Sequence, residues 1–305
     1  MGSGPTRLDT VAIGFLRAVE IAEASQDAFL DELAAEGWVE GDNLTILDAD
    51  PGIAHADPAD AEARARELAE EGVDLVIAFA SQSALAAREA LADEDIPILF
   101  LVSDPIAAGL VTDPQAPDGN LTGSSFVVPA DRTLDVLTSL GDVDSVAVAS
   151  PEDDPGAAGG LERFERAGRA LDLDIIPAVY TDETDAADAV RAAAEQGADA
   201  IALVSSTSTV LSFDAIEAAS LEVGLPVIAN TQSAEFALIV LSPDSDALYR
   251  QLGRQAARLL DGTEVREVPV EDPGGYTLTL RSTIAERLGI RLPDELTARA
   301  DELVE

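Results

Sequence analysis

Residues 73–125 read VDLVIAFASQSALAAREALADEDIPILFLVSDPIAAGLVTDPQAPDGNLTGSS. Val73–Ala80 is an apolar run bounded by polar residues, the composition of a strand buried on both faces. Ser81-Gln82-Ser83 follows where a helix should begin, and such a turn points free backbone N–H groups at whatever lies above it. A second apolar run, Ile96–Val102, ends in Ser103-Asp104-Pro105, and a third strand leaves through Thr122-Gly123-Ser124. Two parallel strands therefore deliver small polar groups to their carboxyl ends, the edge where open α/β sheets bind ligands. Taken one at a time, Ser81 and Ser103 also read as helix caps and Asp104 as a turn residue. Their coincidence at one edge points to a site.

The same alternation runs outward in both directions. Strands are predicted at Thr10–Leu16, Leu44–Leu47, Val143–Ala149, Ile175–Tyr180, Ala198–Val204, Pro226–Asn230, Ala237–Leu241 and Tyr276–Leu280. Helices fall between them, and Thr263–Val270 returns toward a further strand. Asp294–Leu303 reads as a closing helix. Alternation from end to end predicts an α/β protein with parallel sheets and right-handed crossovers. It falls into two similar halves. The second half repeats the Ser-rich turn at Ser206-Thr207-Ser208 and the polar strand end at Asn230-Thr231-Gln232. No low-complexity linker separates the halves. The expected division is residues 9–124 plus 237–264 in one lobe and 125–236 plus 265–305 in the other. Met1-Gly2-Ser3-Gly4 reads as a cloning scar, and residues 1–8 are set apart from the fold.

Composition excludes much chemistry. The 305 residues include no Cys, so disulfides, thiol nucleophiles and Cys-based metal sites are ruled out. The single His, His55, lies in a loop-like stretch, which excludes His-based triads and two-His metal sites. Every one of the 18 basic residues is Arg, and the net charge is −41. That surface argues against nucleic acid, which needs a basic footprint. The carboxylates are spread along the chain, as in adaptation to high salt. No G-x-G-x-x-G, P-loop lysine or G-x-S-x-G elbow is present. DPGAAGG at 154–160 is a Gly-rich turn without a phosphate-binding pattern. Carboxylates are too frequent for any pair to stand out as catalytic. Hydroxyls, amides and one or two carboxylates at a sheet edge fit reversible binding, with no cofactor expected.

VDLVIAFASQSALAA, IPILFLVSDPIAAGLV and PDGNLTGSS, in that order, resemble a family of ABC-transporter substrate-binding proteins. FLDELAAEGWVEGDNLTI near the start and EVPVEDPGGYTLTLRSTIAERLGIRLP near the end are similar to the same family. The resemblance spans residues 10 to 293. It implies two type I periplasmic-binding-protein lobes joined by three crossovers, with a ligand captured by hinge closure near Ser124–Phe126, Ser233–Phe236 and Val270–Gly275. Some members bind tryptophan or other aromatic amino acids. It also implies an extracytoplasmic location with the leader removed, an ABC permease as partner, and a monomer that binds a small molecule and is not an enzyme. Here Ser81-Gln82 stands for the family's Thr-Pro, Asp104 for the Asp of its Thr-Asp-Pro, and Ser124 follows its Thr-Gly. Ser206-Thr207-Ser208 replaces Thr-Asp-Asn, which removes an acidic group. Residues 17–22 lack the family's His-Pro.

The expected ligand is an amino acid or related zwitterion. The helix starts at Ser81 and Ser206 would take its carboxylate and Asp104 its ammonium. Ser103, Ser124, Asn230 and Gln232 would add polar contacts. Phe15, Phe79 and Phe126 read either as core or as walls for an apolar ligand group. Arg17 reads either as a solvated cation or as a second carboxylate anchor. The rival readings are an enzyme on a doubly wound scaffold and the sensing domain of a receptor.

Fifty-nine acidic residues against eighteen Arg repel one another, most strongly at about 0.01 M salt, where the Debye length is about 30 Å. The melting temperature should rise with added NaCl or KCl. A thermal-shift series that stays flat up to molar salt would remove the halophilic reading.

Overall fold

In the computed structural model of the chain, residues 10–17, 23–48, 58–154, 157 and 159–305 are described. The apolar run of residues 73–80 forms β3 (Leu75–Phe79), with every residue buried. It lies parallel to β1 (Val11–Arg17) on one side and β4 (Ile98–Val102) on the other. β2 (Leu44–Asp48) joins beside β1 and β5 (Leu121–Ser125) beside β4, so the strand order is β2-β1-β3-β4-β5. α1 (Glu23–Ala35) and α9 (Ser245–Leu260) pack on one face around Phe15, Phe29, Leu33 and Leu252. α2 (Pro58–Glu70) and α3 (Ser81–Ala90) cover the other around Leu16, Leu68, Ala84 and Phe100. Continuous apolar strands follow from a sheet covered on both faces.

The second unit repeats this order. Its strands are β6 (Ser145–Pro151), β7 (Asp174–Tyr180), β8 (Ala200–Leu203), β9 (Val227–Ala229), β10 (Ile239–Pro243), β11 (Tyr276–Arg281) and β12 (Glu302–Val304). They are arranged β12-β11-β10-β9-β8-β6-β7. α4 (Ala130–Thr138), α5 (Gly160–Leu171), α10 (Ser282–Leu288) and α11 (Asp294–Arg299) pack on one face. α6 (Glu183–Glu195) and α8 (Phe213–Val223) pack on the other, and α7 (Thr207–Leu211) precedes α8.

The first unit takes in residues up to 127 and 244–274, the second residues 128–243 and 275–305, so the chain passes between them three times. Several expectations from sequence need correction. The run 237–241 was placed in the first lobe, but β10 pairs with β9 and β11 and belongs to the second sheet. Its apolar pattern is the same whichever sheet it joins; only pairing decides. Residues 265–274 belong to the first unit, because Val268 is buried in its core and accepts a hydrogen bond from Thr122 Oγ1. No strand forms over 263–270: Val265–Glu267 is a 3-10 turn, and a single bridge pairs Glu271 with Ser124. The closing helix α11 stops at Arg299, and 302–304 adds a strand alongside β11. β11 runs antiparallel to β10 and β12 runs parallel to β11, so this sheet carries two reversed strands at one edge. The initial residues, the loop at 18–22 and the stretch around His55 lie outside the described residues, as does part of the Gly-rich turn at 154–160.

In the first unit a buried amide network laces β5 to residues 268–274. Gln255 Nε2 donates to the carbonyls of Gly123 and Pro269, both at 3.0 Å. Ser124 Oγ donates to Gln255 Oε1 at 2.8 Å and accepts from Gln251 Nε2 at 2.9 Å. The strands meet so closely that a Cβ on Gly123 would lie 2.0 Å from the Phe100 carbonyl oxygen. Backbone cannot yield as a side chain does, so Gly123→Ala should destabilise the first unit by about 3 kcal/mol or more. Denaturant melts of the variant measure this; a loss below about 1 kcal/mol would show that β4 and β5 separate easily.

Candidate functional site

The first sheet places β1 beside β3, although β2 lies between them in the chain. The helices that follow these two strands go to opposite faces: α1 leaves β1 for one and α3 leaves β3 for the other. The edge between the two exits is the topological switch point of a doubly wound sheet. The register sets Arg17, the last residue of β1, opposite Phe79, the last of β3. Ala80 then turns the chain into α3 with φ 74° and ψ 153°, a conformation that side chains other than Gly avoid.

Ser81 does not cap α3. It is the first helical residue, the N-cap position is Ala80, and no side chain caps the helix. Ser81 Oγ and Gln82 Oε1 are buried, and among the described residues neither has a hydrogen-bond partner. Ser81 is only 3% exposed. An unsatisfied buried hydroxyl or amide oxygen costs about 1–3 kcal/mol. Two such groups stand together at an uncapped helix start that follows a strained turn. The uncapped N–H groups and the positive end of the helix favour an anion such as a carboxylate. Gln82 Oε1 is an acceptor and fits a donor such as an ammonium.

Other predicted residues are committed to the protein. Phe15 is 1% exposed, packed edge-on against Phe29 and Phe79 with centroids at 5.8 and 5.6 Å. It is core, not a ligand wall. Arg17 pairs bidentately with Asp48 at the end of β2: its Nε donates to Oδ1 at 3.1 Å, and a terminal nitrogen closes on the other carboxylate oxygen. It is neither a solvated cation nor an anchor awaiting a ligand. Ser103 is buried at the end of β4. Asp104 Oδ1 accepts from the backbone N–H groups of Ile106 and Ala107 at 3.1 and 2.9 Å, so the residue caps its own turn. Ser124 is fully buried within the Gln251–Gln255 network described above.

In the second unit the equivalent switch point lies between β6 and β8. Here Ser206 is a true N-cap: its Oγ accepts from Thr209 N–H at 3.2 Å. Thr207 begins α7, and Ser208 N–H donates to Asp154 Oδ2 at 2.7 Å. Asp154, 5% exposed, returns a carboxylate to the turn that lacks one in its own sequence. Below it, Tyr180 O–H donates to Thr209 Oγ1 at 3.2 Å, and burial holds the phenol above its ordinary pKa. Asn230 Nδ2 donates to Thr133 Oγ1 and the Leu241 carbonyl at 3.3 and 3.1 Å. Gln232 Nε2 donates to Ser242 and Thr279 hydroxyls, both at 3.1 Å. Both amides tie the end of β9 to its neighbours. Asp154, Asp48 and Tyr249 were not singled out from sequence. Nothing distinguished the two Asp among so many, whereas Tyr249 is one of only three tyrosines.

Two units of doubly wound sheet with three connections, a switch point at each, and a polar site at a strand edge define the type I periplasmic-binding-protein class. The model of the ABC transporter substrate-binding protein family matches residues 18–304, and the chain belongs to that family. A tyrosine-binding protein of Clostridioides difficile is 24% identical over 264 residues, which are 85% of this chain and 75% of that protein. A conserved domain protein from Vibrio cholerae is similar in structure, with a TM-score of 0.85 and 26% identity over 96% of this chain and 99% of the other. A Streptococcus pneumoniae ABC domain in complex with L-Trp superposes with a TM-score of 0.86 at 21% identity, over 97% and 100% of the two chains.

Because Ser81 Oγ makes no hydrogen bond among the described residues, its removal costs none of them a partner. Ser81→Ala should leave the ligand-free melting temperature unchanged or raise it, by up to about 1 kcal/mol of stability. A clear fall in the ligand-free melting temperature would mean that the hydroxyl serves the fold.

Proposed function

We propose that the chain is the extracytoplasmic solute-binding component of an ABC importer, that it hands its ligand to a membrane permease, and that the ligand is an amino acid with an aromatic side chain. Family membership supports the transport role. The observation that carries the ligand reading is the pair of buried, partnerless groups at the start of α3, Ser81 Oγ and Gln82 Oε1. In this reading Ser81 O–H and the first N–H groups of α3 hold the α-carboxylate, and Gln82 Oε1 accepts from the ammonium. The Asp104 carboxylate, in the turn that follows the neighbouring strand β4, adds negative charge at the same sheet edge. Phe79, the residue that ends β3, stands two positions before Ser81 and lies 6.3 Å from Tyr249 in a near-parallel stack, which suits a flat apolar group. The relatives named for tyrosine and solved with L-Trp support the same class. The ligand is bound and released unchanged.

Calorimetry with a panel of amino acids tests this. L-tyrosine, L-tryptophan or L-phenylalanine should bind with one-to-one stoichiometry and be recovered intact. Ser81→Ala should weaken that binding by about tenfold, the value of one hydrogen bond to a charged group. Asp104→Asn should weaken it by a similar factor. If no amino acid binds, and native mass spectrometry of the purified protein releases a solute of another class, the amino-acid reading is wrong.

A further inference from the structure

One more polar group in the first unit lacks a partner. Tyr249 O–H makes no hydrogen bond to any described residue, although the ring is largely covered. Its ring lies near-parallel to Phe79, 19° between planes, and Phe79 in turn packs edge-on against Phe15. The residue is half-buried and its hydroxyl is not a fully buried atom, so it can donate to a bound molecule.

The fold places this residue at the ligand edge of the sheet. α1 follows β1, so α1 begins at the carboxyl ends of the parallel strands. Ser245, the first residue of α9, meets Ser25 in the first turn of α1, Oγ to Oγ at 3.1 Å. α9 therefore starts at the same edge, and Tyr249 lies one turn into it. Helical side chains tilt back toward the N-terminus of their helix, which carries the phenol toward the strand ends. Asp244 caps α9 through Ala247 N–H and so fixes that turn.

We propose that Tyr249 is a second donor to the carboxylate of the bound solute, acting beside Ser81 and setting the preference for a free acid over its amide. This rests on the amino-acid reading above. The local electrostatics suit it. Burial pushes the phenol up to about 12, opposed by the nearby Arg17 guanidinium, so the hydroxyl keeps its proton and donates at any physiological pH. Arg17 is neutralised by Asp48, which leaves hydrogen bonds from Ser81, Tyr249 and the uncapped start of α3, and not a free cation, to hold the anion. Tyr249→Phe keeps the stack on Phe79 and deletes only the donor.

The test is a cycle of two proteins and two ligand forms, acid and amide. Parent and Tyr249→Phe are titrated with L-tyrosine and L-tryptophan and with the carboxamide of each. The expected result is that Tyr249→Phe loses about tenfold in affinity for the acids, loses little for the carboxamides, and melts within about 2 °C of the parent. The acid-over-amide preference thus shrinks in the variant, which a purely structural role for the ring would not produce. If the parent binds the acids and Ser81→Ala weakens them, but Tyr249→Phe leaves the preference unchanged, this proposal fails and the amino-acid reading stands. If the parent binds neither acid nor amide, both fall together.

Discussion

The site depends on a reversal of strand order. β1 and β3 are neighbours in space but not in sequence, so the chain leaves their carboxyl ends toward opposite faces of the sheet. Two strands exiting the same way would have laid a helix or loop over the gap between them. Because they diverge, the two helix starts part at the strand ends, where the parallel register sets Arg17 opposite Phe79. The second unit has the same order around β6 and β8. Parallel pairing with right-handed crossovers makes this arrangement available to any α/β sheet. The residues placed at the exits turn it into a binding site.

Those residues work against stability. Ala80 holds a left-handed φ that costs about 1–3 kcal/mol, and it does so to bring Ser81 and Gln82 inward without partners. The apolar cores on both faces of the sheet supply the stability that tolerates this. The comparison with Ser206 is instructive. Both serines follow a buried strand and begin a helix, yet Ser206 is spent on its own helix, bonding Thr209 N–H. Ser81 stands one position further along, inside the first turn, and has no backbone N–H to bond. A shift of one residue separates a cap from a hydroxyl left without a partner among the described residues.

Charge is distributed with similar economy. With 18 Arg and no Lys, most cations are engaged in surface pairs, such as Arg64 with Asp60 and Arg250 with Asp246 one helical turn away. Exposed pairs of this kind contribute only about 0.3–0.5 kcal/mol each. The cation nearest the site is held by Asp48. In the proposed binding mode an anion is therefore held by helix N–H groups and hydroxyls.

The strands, most helix limits and the two-half repeat were legible in the sequence because they depend on local periodicity and on Gly and Pro at fixed places. The predicted strand Ile175–Tyr180 lies within the observed Asp174–Tyr180. The stretch 73–125 also announced its polar turns, and Ser81 and Gln82 among them. Pairing was not legible: an apolar run such as 239–243 carries no mark of the sheet it will join, and a short segment such as 302–304 becomes a strand only because β11 lies beside it. Nor could the sequence rank its candidates. Whether a hydroxyl is a cap, a clamp or a ligand contact depends on which groups come within about 3 Å of it, and those groups arrive from distant parts of the chain. Ser124 is claimed by Gln251 and Gln255, Arg17 by Asp48, and Ser208 by Asp154, each across 31 or more residues. Among the described residues, Ser81 and Gln82 are the sequence candidates whose buried oxygens the tertiary structure left without a partner.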